Sequence, residues 1–242
     1  MKIRLFTIPN FVTLGNLLCG SCAATAAAVY GDFTAAFFLL VAAAVFDFAD
    51  GAVARIMNQY TKFGVQLDSL SDMISFGFAP AAILFGLSAH CQPALVHGDM
   101  PETVCRFLIF IVAAFSALRL AKFNIDTTQT DEFCGLPTPA CAIFCAGAAM
   151  LVERGRITVP LEAVTLTAIV MAALLIVPVR MFSLKFHNLG WKDNKLRYVF
   201  LAASLAIICA APVYSPTAII VLYVAMSILR HAFCQTDKTK GC

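Results

Sequence analysis

The sequence predicts an all-α, polytopic membrane helix bundle. Hydrophobic residues make up 61% of the 242 positions and charged residues only 13%, with a mean hydropathy of +0.86. Soluble domains carry roughly 25% charged residues. The apolar residues are also gathered into runs near the ~20 residues that a helix needs to cross hydrocarbon. Basic residues fall unevenly on the connections between those runs. The net charge of +3 says little by itself, and no nucleic-acid partner is expected.

Met1–Pro9 mixes Lys2 and Arg4 with Ile3, Leu5, Phe6 and Ile8. It reads as a short amphipathic segment lying along the headgroups, with no cleavable leader in evidence. About eight transmembrane helices follow, over 11–30, 33–55, 70–91, 104–122, 138–153, 158–179, 197–211 and 215–233. The fifth and seventh are short. A six-span core with a looser C-terminal pair is the alternative count. Eight spans place both termini on one side, and fourteen of the seventeen Lys and Arg residues fall on that side. Positive charge marks the cytoplasmic face, so both termini are expected there, in a multi-pass protein of the cell membrane. Phe182–Leu196 is polar and basic and reads as a cytoplasmic loop.

The first span opens Pro-Asn-Phe-Val-Thr-Leu-Gly-Asn. Asn10, Thr13 and Asn16 recur every three residues and share one helical face. Such residues often act as inter-helix glue in membranes. Three of them at one span end point instead to a polar wall for a ligand's headgroup. Most of the ten cysteines sit within apolar runs and serve as small packing residues. Cys19 and Cys22 form a C-x-x-C without the second ligand pair that structural zinc needs. Cys91 and Cys105 flank one loop and would pair only if it faces an oxidising compartment.

The chemistry concentrates between Asp47 and Asp72. Asp47 and Asp50 are one turn apart on the second span, and Asp68 and Asp72 are one turn apart on the third. A polar turn after Arg55 returns the second pair toward the first. Charges beside membrane helices are costly and by default mark function. Ion pairs with Arg55, Lys62, Arg119 or Lys122 would account for one or two of the aspartates, not for four at this spacing. Converging carboxylates repel one another unless cations bind, and hard oxygen ligands select Mg²⁺ or Mn²⁺, with two ions expected. Gly51 removes a side chain beside the first pair, so that a ligand can reach the backbone. A cation transporter also uses intramembrane carboxylates, but would spread them near mid-membrane over several spans.

The pattern D-x-x-D-G-x-x-A-R-x8-G-x3-D-x3-D is met at Asp47, Asp50, Gly51, Ala54, Arg55, Gly64, Asp68 and Asp72. It resembles the signature of the CDP-alcohol phosphatidyltransferase family. Four further stretches resemble its membrane-embedded phosphatidylserine synthase branch: Ile8–Gly20, Leu67–Pro80, Ala117–Asn124 and Phe133–Ala140. The resemblance covers roughly residues 8–140 and implies a catalytic core over 1–182, followed by a C-terminal loop and helix pair over 183–242. It implies transfer of a phosphatidyl group from CDP-diacylglycerol to L-serine at the cytoplasmic face, with CMP released, in a homodimer amid membrane lipids. Glycerol 3-phosphate or inositol phosphate is the alternative acceptor. By the same resemblance Asp47, Asp50, Asp68 and Asp72 bind metal, and Asp72 is also the general base. Asn10, Thr13, Asp50, Gly51, Ala54, Arg55 and Gly64 would meet CDP-diacylglycerol. At the end of the fourth span Arg119, Lys122 and Asn124 are the candidates to meet serine: the Arg119 guanidinium suits the serine carboxylate or a lipid phosphate, and Lys122 serves equally as a positive-inside anchor.

Overall fold

The computed structural model describes residues 5–59, 61–95, 98–125, 133–182 and 190–239. Helix α1 (Ile8–Tyr30) starts where Thr7, in extended conformation, caps it by accepting from the Asn10 N–H, with Pro9 in the first turn. It ends at Gly31, whose φ of +67° suits the left-handed stop that glycine tolerates. Asp32 then caps α2 (Phe33–Ile56) by accepting from the Ala35 N–H at 2.7 Å. The result is a tight antiparallel hairpin. Its buried seam is made largely of small residues (Ala23, Ala27, Ala36 and Ala43), which let the backbones approach.

One continuous helical stretch follows, built as α3 (Lys62–Asp72), a π-helical segment (Met73–Phe78) and α4 (Ala79–Ala89). It begins eight residues before the expected start at 70. Hydropathy passes over the polar first turns, but Thr61 caps them by accepting from the Gly64 N–H at 2.9 Å. Helices α5 (Asp99–Leu108) and α6 (Ile111–Ile125) flank a short break at Ile109–Phe110. A two-residue antiparallel bridge, β1 (Phe133–Cys134) with β2 (Arg180–Met181), was not expected from the sequence. Then come α7 (Thr138–Glu153), α8 (Leu161–Ile176), α9 (Trp191–Ala210) and α10 (Ser215–Thr239). The sixth expected span, 158–179, shortens to α8 because Pro160 sets its start and the chain turns extended at Val177, before Pro178.

Among the described residues, four helical stretches are long and apolar enough to cross a membrane: Ile8–Tyr30, Phe33–Ile56, Lys62–Ala89 and Asp99–Ile125. Thr138–Glu153, Leu161–Ile176 and Ser215–His231 are shorter apolar helices. Large apolar side chains such as Phe48 (76% exposed) point outward, as a lipid-facing surface requires. The core lies among α1, α2, α4, α7 and α8.

Other expectations change. Cys91 and Cys105 are free thiols, so the conditional disulfide is not formed. The loop expected over Phe182–Leu196 is shortened by α9, which begins at Trp191; residues 183–189 lie outside the described set. Of the expected amphipathic N-terminal segment, Met1–Arg4 also lies outside it, and Leu5–Thr7 is not helical.

Three contacts set the position of the motif. Glu153, at the end of α7, accepts from the Phe33 and Thr34 N–H groups at 3.1 and 2.8 Å, holding the start of α2. On the other side of α1, the Ser71 hydroxyl donates to the Thr13 carbonyl at 2.9 Å. The Ser75 hydroxyl donates to the Asn16 carbonyl at 3.0 Å. Gly20 makes this approach possible: a Cβ there would lie 2.5 Å from the Ser75 Cα. The π-helical segment carries Ser75 and starts directly after Asp72, and π-bulges of this kind recur at functional sites.

Candidate active site

The site lies at one end of the bundle, where the start of α1, the ends of α2 and α6 and the start of α3 meet. Asp47 and Asp50 project from the last turns of α2, and Asp68 from the middle of α3. Carboxylate oxygens of these three residues lie within 4.8 Å of one another. Asp50 is only 6% exposed. Its Oδ2 and the Asp68 Oδ1 are buried without a hydrogen-bond partner.

A buried carboxylate oxygen without a donor costs about 1–3 kcal/mol or more. Two such oxygens, in a cluster of three carboxylates, are tolerable when a cation shares them. All the donors are hard oxygens, so the set fits a divalent cation of the Mg²⁺ or Mn²⁺ type. Asp72 stands outside this cluster, one turn further along α3. It lies beside Asp47, and its Oδ1 accepts from the Asn16 amide at 3.2 Å.

A cleft of about 190 Å³ opens next to the cluster. Asn10, Thr13, Asp50, Gly51, Ala54 and Gly64, all expected to meet the nucleotide lipid, line it. Gly51 has open space where a Cβ would be, with nothing within 4 Å. Arg55 does not line the cleft, and its residue is exposed. Of the polar trio on α1, two members face the cleft, while Asn16 turns to Asp72.

The three residues expected to meet serine separate. Asn124 lines the cleft and donates to the Ser69 hydroxyl at 2.9 Å. Lys122 is exposed and lies off the cleft. Arg119 sits deeper, where Nη1 donates to the Thr138 hydroxyl at 3.4 Å and Nε is buried without a partner. Asp72 lies within its electrostatic reach. Arg119 therefore links α6 to the start of α7, and it does not line the cleft.

Gln59, Thr61, Val65, Ser69 and Phe123 also line the cleft, without having been singled out in the sequence. Thr61 was detectable, since a threonine three residues before Gly64 at a helix start is a capping signal. Phe123 and Ser69 reach the cleft through the packing of α6 on the bundle, which no local pattern records.

The sequence model described as CDP-alcohol phosphatidyltransferase matches residues 6–179, which contain every residue of this site. A Helicobacter pylori CDP-diacylglycerol–serine O-phosphatidyltransferase is 30% identical over 95% of this chain and 92% of the relative. The Bacillus subtilis protein of that name is 30% identical over 54% of this chain and 69% of its own. The Saccharomyces cerevisiae one is 36% identical over 50% of this chain and 44% of its own. With the family pattern complete, and its aspartates gathered around one cleft, this chain belongs to the CDP-alcohol phosphatidyltransferase family.

Proposed function

We propose that this protein is a CDP-diacylglycerol–serine O-phosphatidyltransferase of phospholipid biosynthesis. The observation that carries the reading is the cluster of Asp47, Asp50 and Asp68, with orphaned buried oxygens, beside a cleft at the end of an apolar bundle. The relatives' names support serine as the acceptor.

Asn10, Thr13, Gly51, Ala54 and Gly64 receive the cytidine diphosphate headgroup while the acyl chains stay in lipid. Asp47, Asp50 and Asp68 hold the metal, as Mg²⁺ or Mn²⁺, and two ions suit four neighbouring carboxylates. Bound there, it supplies charge to neutralise the diphosphate and the leaving CMP. Asp72 takes the proton of the serine hydroxyl. That oxygen forms a bond to the phosphorus bearing diacylglycerol, and the bond from this phosphorus to the CMP oxygen breaks. A carboxylate is a weak base for an alcohol, so orientation supplies much of the effect. Arg119 receives the serine carboxylate, since guanidinium pairs with it bidentately. Asn124 lines the cleft, while Lys122 is exposed and off it.

The same reading gives eight spans with both termini in the cytoplasm and the site at that face. The placement of fourteen of seventeen basic residues supports it. Residues 1–182 form the catalytic core, and 183–242 a C-terminal loop and helix pair.

Membranes containing the protein, CDP-diacylglycerol and Mn²⁺ or Mg²⁺ are to be given serine, inositol phosphate or glycerol 3-phosphate in parallel. CMP release that depends on serine is expected. Release only with a phosphorylated acceptor would reassign the substrate, and none with any acceptor from folded protein would sink the enzyme reading.

A further inference from the structure

The lining of the cleft is ordered along two helices. On α2 it runs from Asp50 to Ala54, and on α3 from Asp68 back to Gly64. Each step of four residues covers about 6 Å of helix axis. Both helices therefore lead away from the clustered aspartates toward the short turn that joins them. Gln59 in that turn, and Thr61 at its end, line the cleft there. With a diphosphate at the aspartates, the ribose spans the middle of the cleft and the base reaches this end.

The end of α2 fixes Gln59. Asn58 takes a positive φ of 51°, which asparagine tolerates better than most residues. The Asn58 N–H donates to the Arg55 carbonyl at 3.3 Å, and the Gln59 N–H to the Ala54 carbonyl at 3.0 Å. This pair of bonds closes the helix in a Schellman turn. It ties Gln59 to Ala54, which itself lines the cleft.

The neighbouring polar side chains each spend a hydrogen bond within the protein. The Asn10 amide donates to the Leu5 carbonyl at 2.8 Å, and the Thr13 hydroxyl to the Pro9 carbonyl at 3.1 Å. The Thr61 hydroxyl accepts from the Gly64 N–H, and Ser69 accepts from Asn124. Gln59 Oε1 is buried and accepts no hydrogen bond from the described residues. A buried carbonyl without a donor is costly, and a ligand N–H removes that cost. A primary amide offers an acceptor and a donor side by side. That pair matches a base edge on which an amino group adjoins an unprotonated ring nitrogen, as amides read adenine in DNA. Cytosine carries such an edge. Uracil has a carbonyl in place of the amino group and an N–H in place of the ring acceptor.

We propose that Gln59 is a specificity-determining residue that reads the amino edge of the cytosine ring in the lipid nucleotide. Its oxygen accepts from the amino group, and its NH₂ donates to the ring nitrogen. The proposal deepens the reading of the cleft as the site of CDP-diacylglycerol and rests on it.

The test measures binding of CMP and of UMP to the full-length protein in detergent with Mn²⁺, by titration calorimetry. The two nucleotides differ only at that base edge, and no acceptor is needed. The parent protein is expected to bind CMP more tightly than UMP. Gln59→Leu keeps roughly the size of the side chain and removes both amide groups. It is expected to reduce the preference for CMP about tenfold, by weakening CMP and not UMP. The ratio of the two affinities does not depend on the fraction of protein that is folded. An unchanged preference in Gln59→Leu, or equal weakening of both nucleotides, would overturn the role of Gln59 and leave the reading of the cleft standing. A parent protein that binds neither nucleotide, or both alike, would overturn the cytidine reading of the cleft and the role of Gln59 with it.

Discussion

The Asn16 side-chain amide donates to Asp72 Oδ1 at 3.2 Å across the contact between α1 and α3. Asn16 is fully buried, and its own Oδ1 has no partner. The amide therefore serves Asp72 at a cost to its other half, which marks it as orienting the proposed base. Asn16→Ala is expected to lower kcat by about 10–100-fold, the equivalent of 1–3 kcal/mol for such a bond. The CDP-diacylglycerol KM should stay close to wild type. A variant with wild-type kcat would remove Asn16 from the mechanism.

Asp72 and the three clustered aspartates should separate by assay. Asp72→Asn keeps the size and the acceptor for Asn16 but loses the base. Turnover should fall about 10²–10⁴-fold while CDP-diacylglycerol still binds. Retained turnover with bound lipid would end the assignment of Asp72 as base.

Asp50→Asn and Asp68→Asn remove charge from oxygens that have no protein donor. The metal concentration giving half-maximal CMP release should rise at least about tenfold, and chelation should abolish activity in the parent protein. Titration of Mn²⁺ against CMP release reads both. An unchanged metal requirement in both variants would place the cation elsewhere.

Two glycines near the site should respond oppositely to alanine. At Gly20 a Cβ would stand 2.2 Å from the Ser75 Oγ and 2.5 Å from its Cα, so α1 and the π-helical segment must part. Gly20→Ala is expected to cost about 1–3 kcal/mol of stability, visible as a lowered thermal midpoint in detergent. At Gly51 a Cβ meets no protein atom within 4 Å. Gly51→Ala should leave the midpoint unchanged or slightly raised, since alanine favours helix by up to about 1 kcal/mol. It should raise the CDP-diacylglycerol KM, because the methyl enters the cleft. Equal loss of stability in both variants would contradict this division.

Much of the site was legible because one rigid helix carries each aspartate pair. Once Asp47 and Asp50 share a helix, the spacing of three sets their common face, and the same holds for Asp68 and Asp72. The cleft lining by Asn10 and Thr13 followed from the same kind of local periodicity, whereas Gly51, Ala54 and Gly64 were expected there from the family resemblance. Arg55 shows where periodicity stops. It adjoins Ala54 in sequence, but one residue turns a helix by about 100° and carries its side chain off the cleft.

The sequence by itself determined the membrane-type bundle, the first two spans on either side of a short break, and the two aspartate pairs. These rest on hydropathy and on spacing within a single helix, both of which act over a few residues. Only the tertiary structure decided that three aspartates cluster while Asp72 turns to Asn16, that Arg119 reaches Thr138, and that Tyr223, from the far end of the chain, packs on Phe182 and Phe200. Those relations depend on how closely helices distant in sequence approach. That approach is set by contacts such as Gly20 on Ser75, where the absence of one side chain lets two backbones meet.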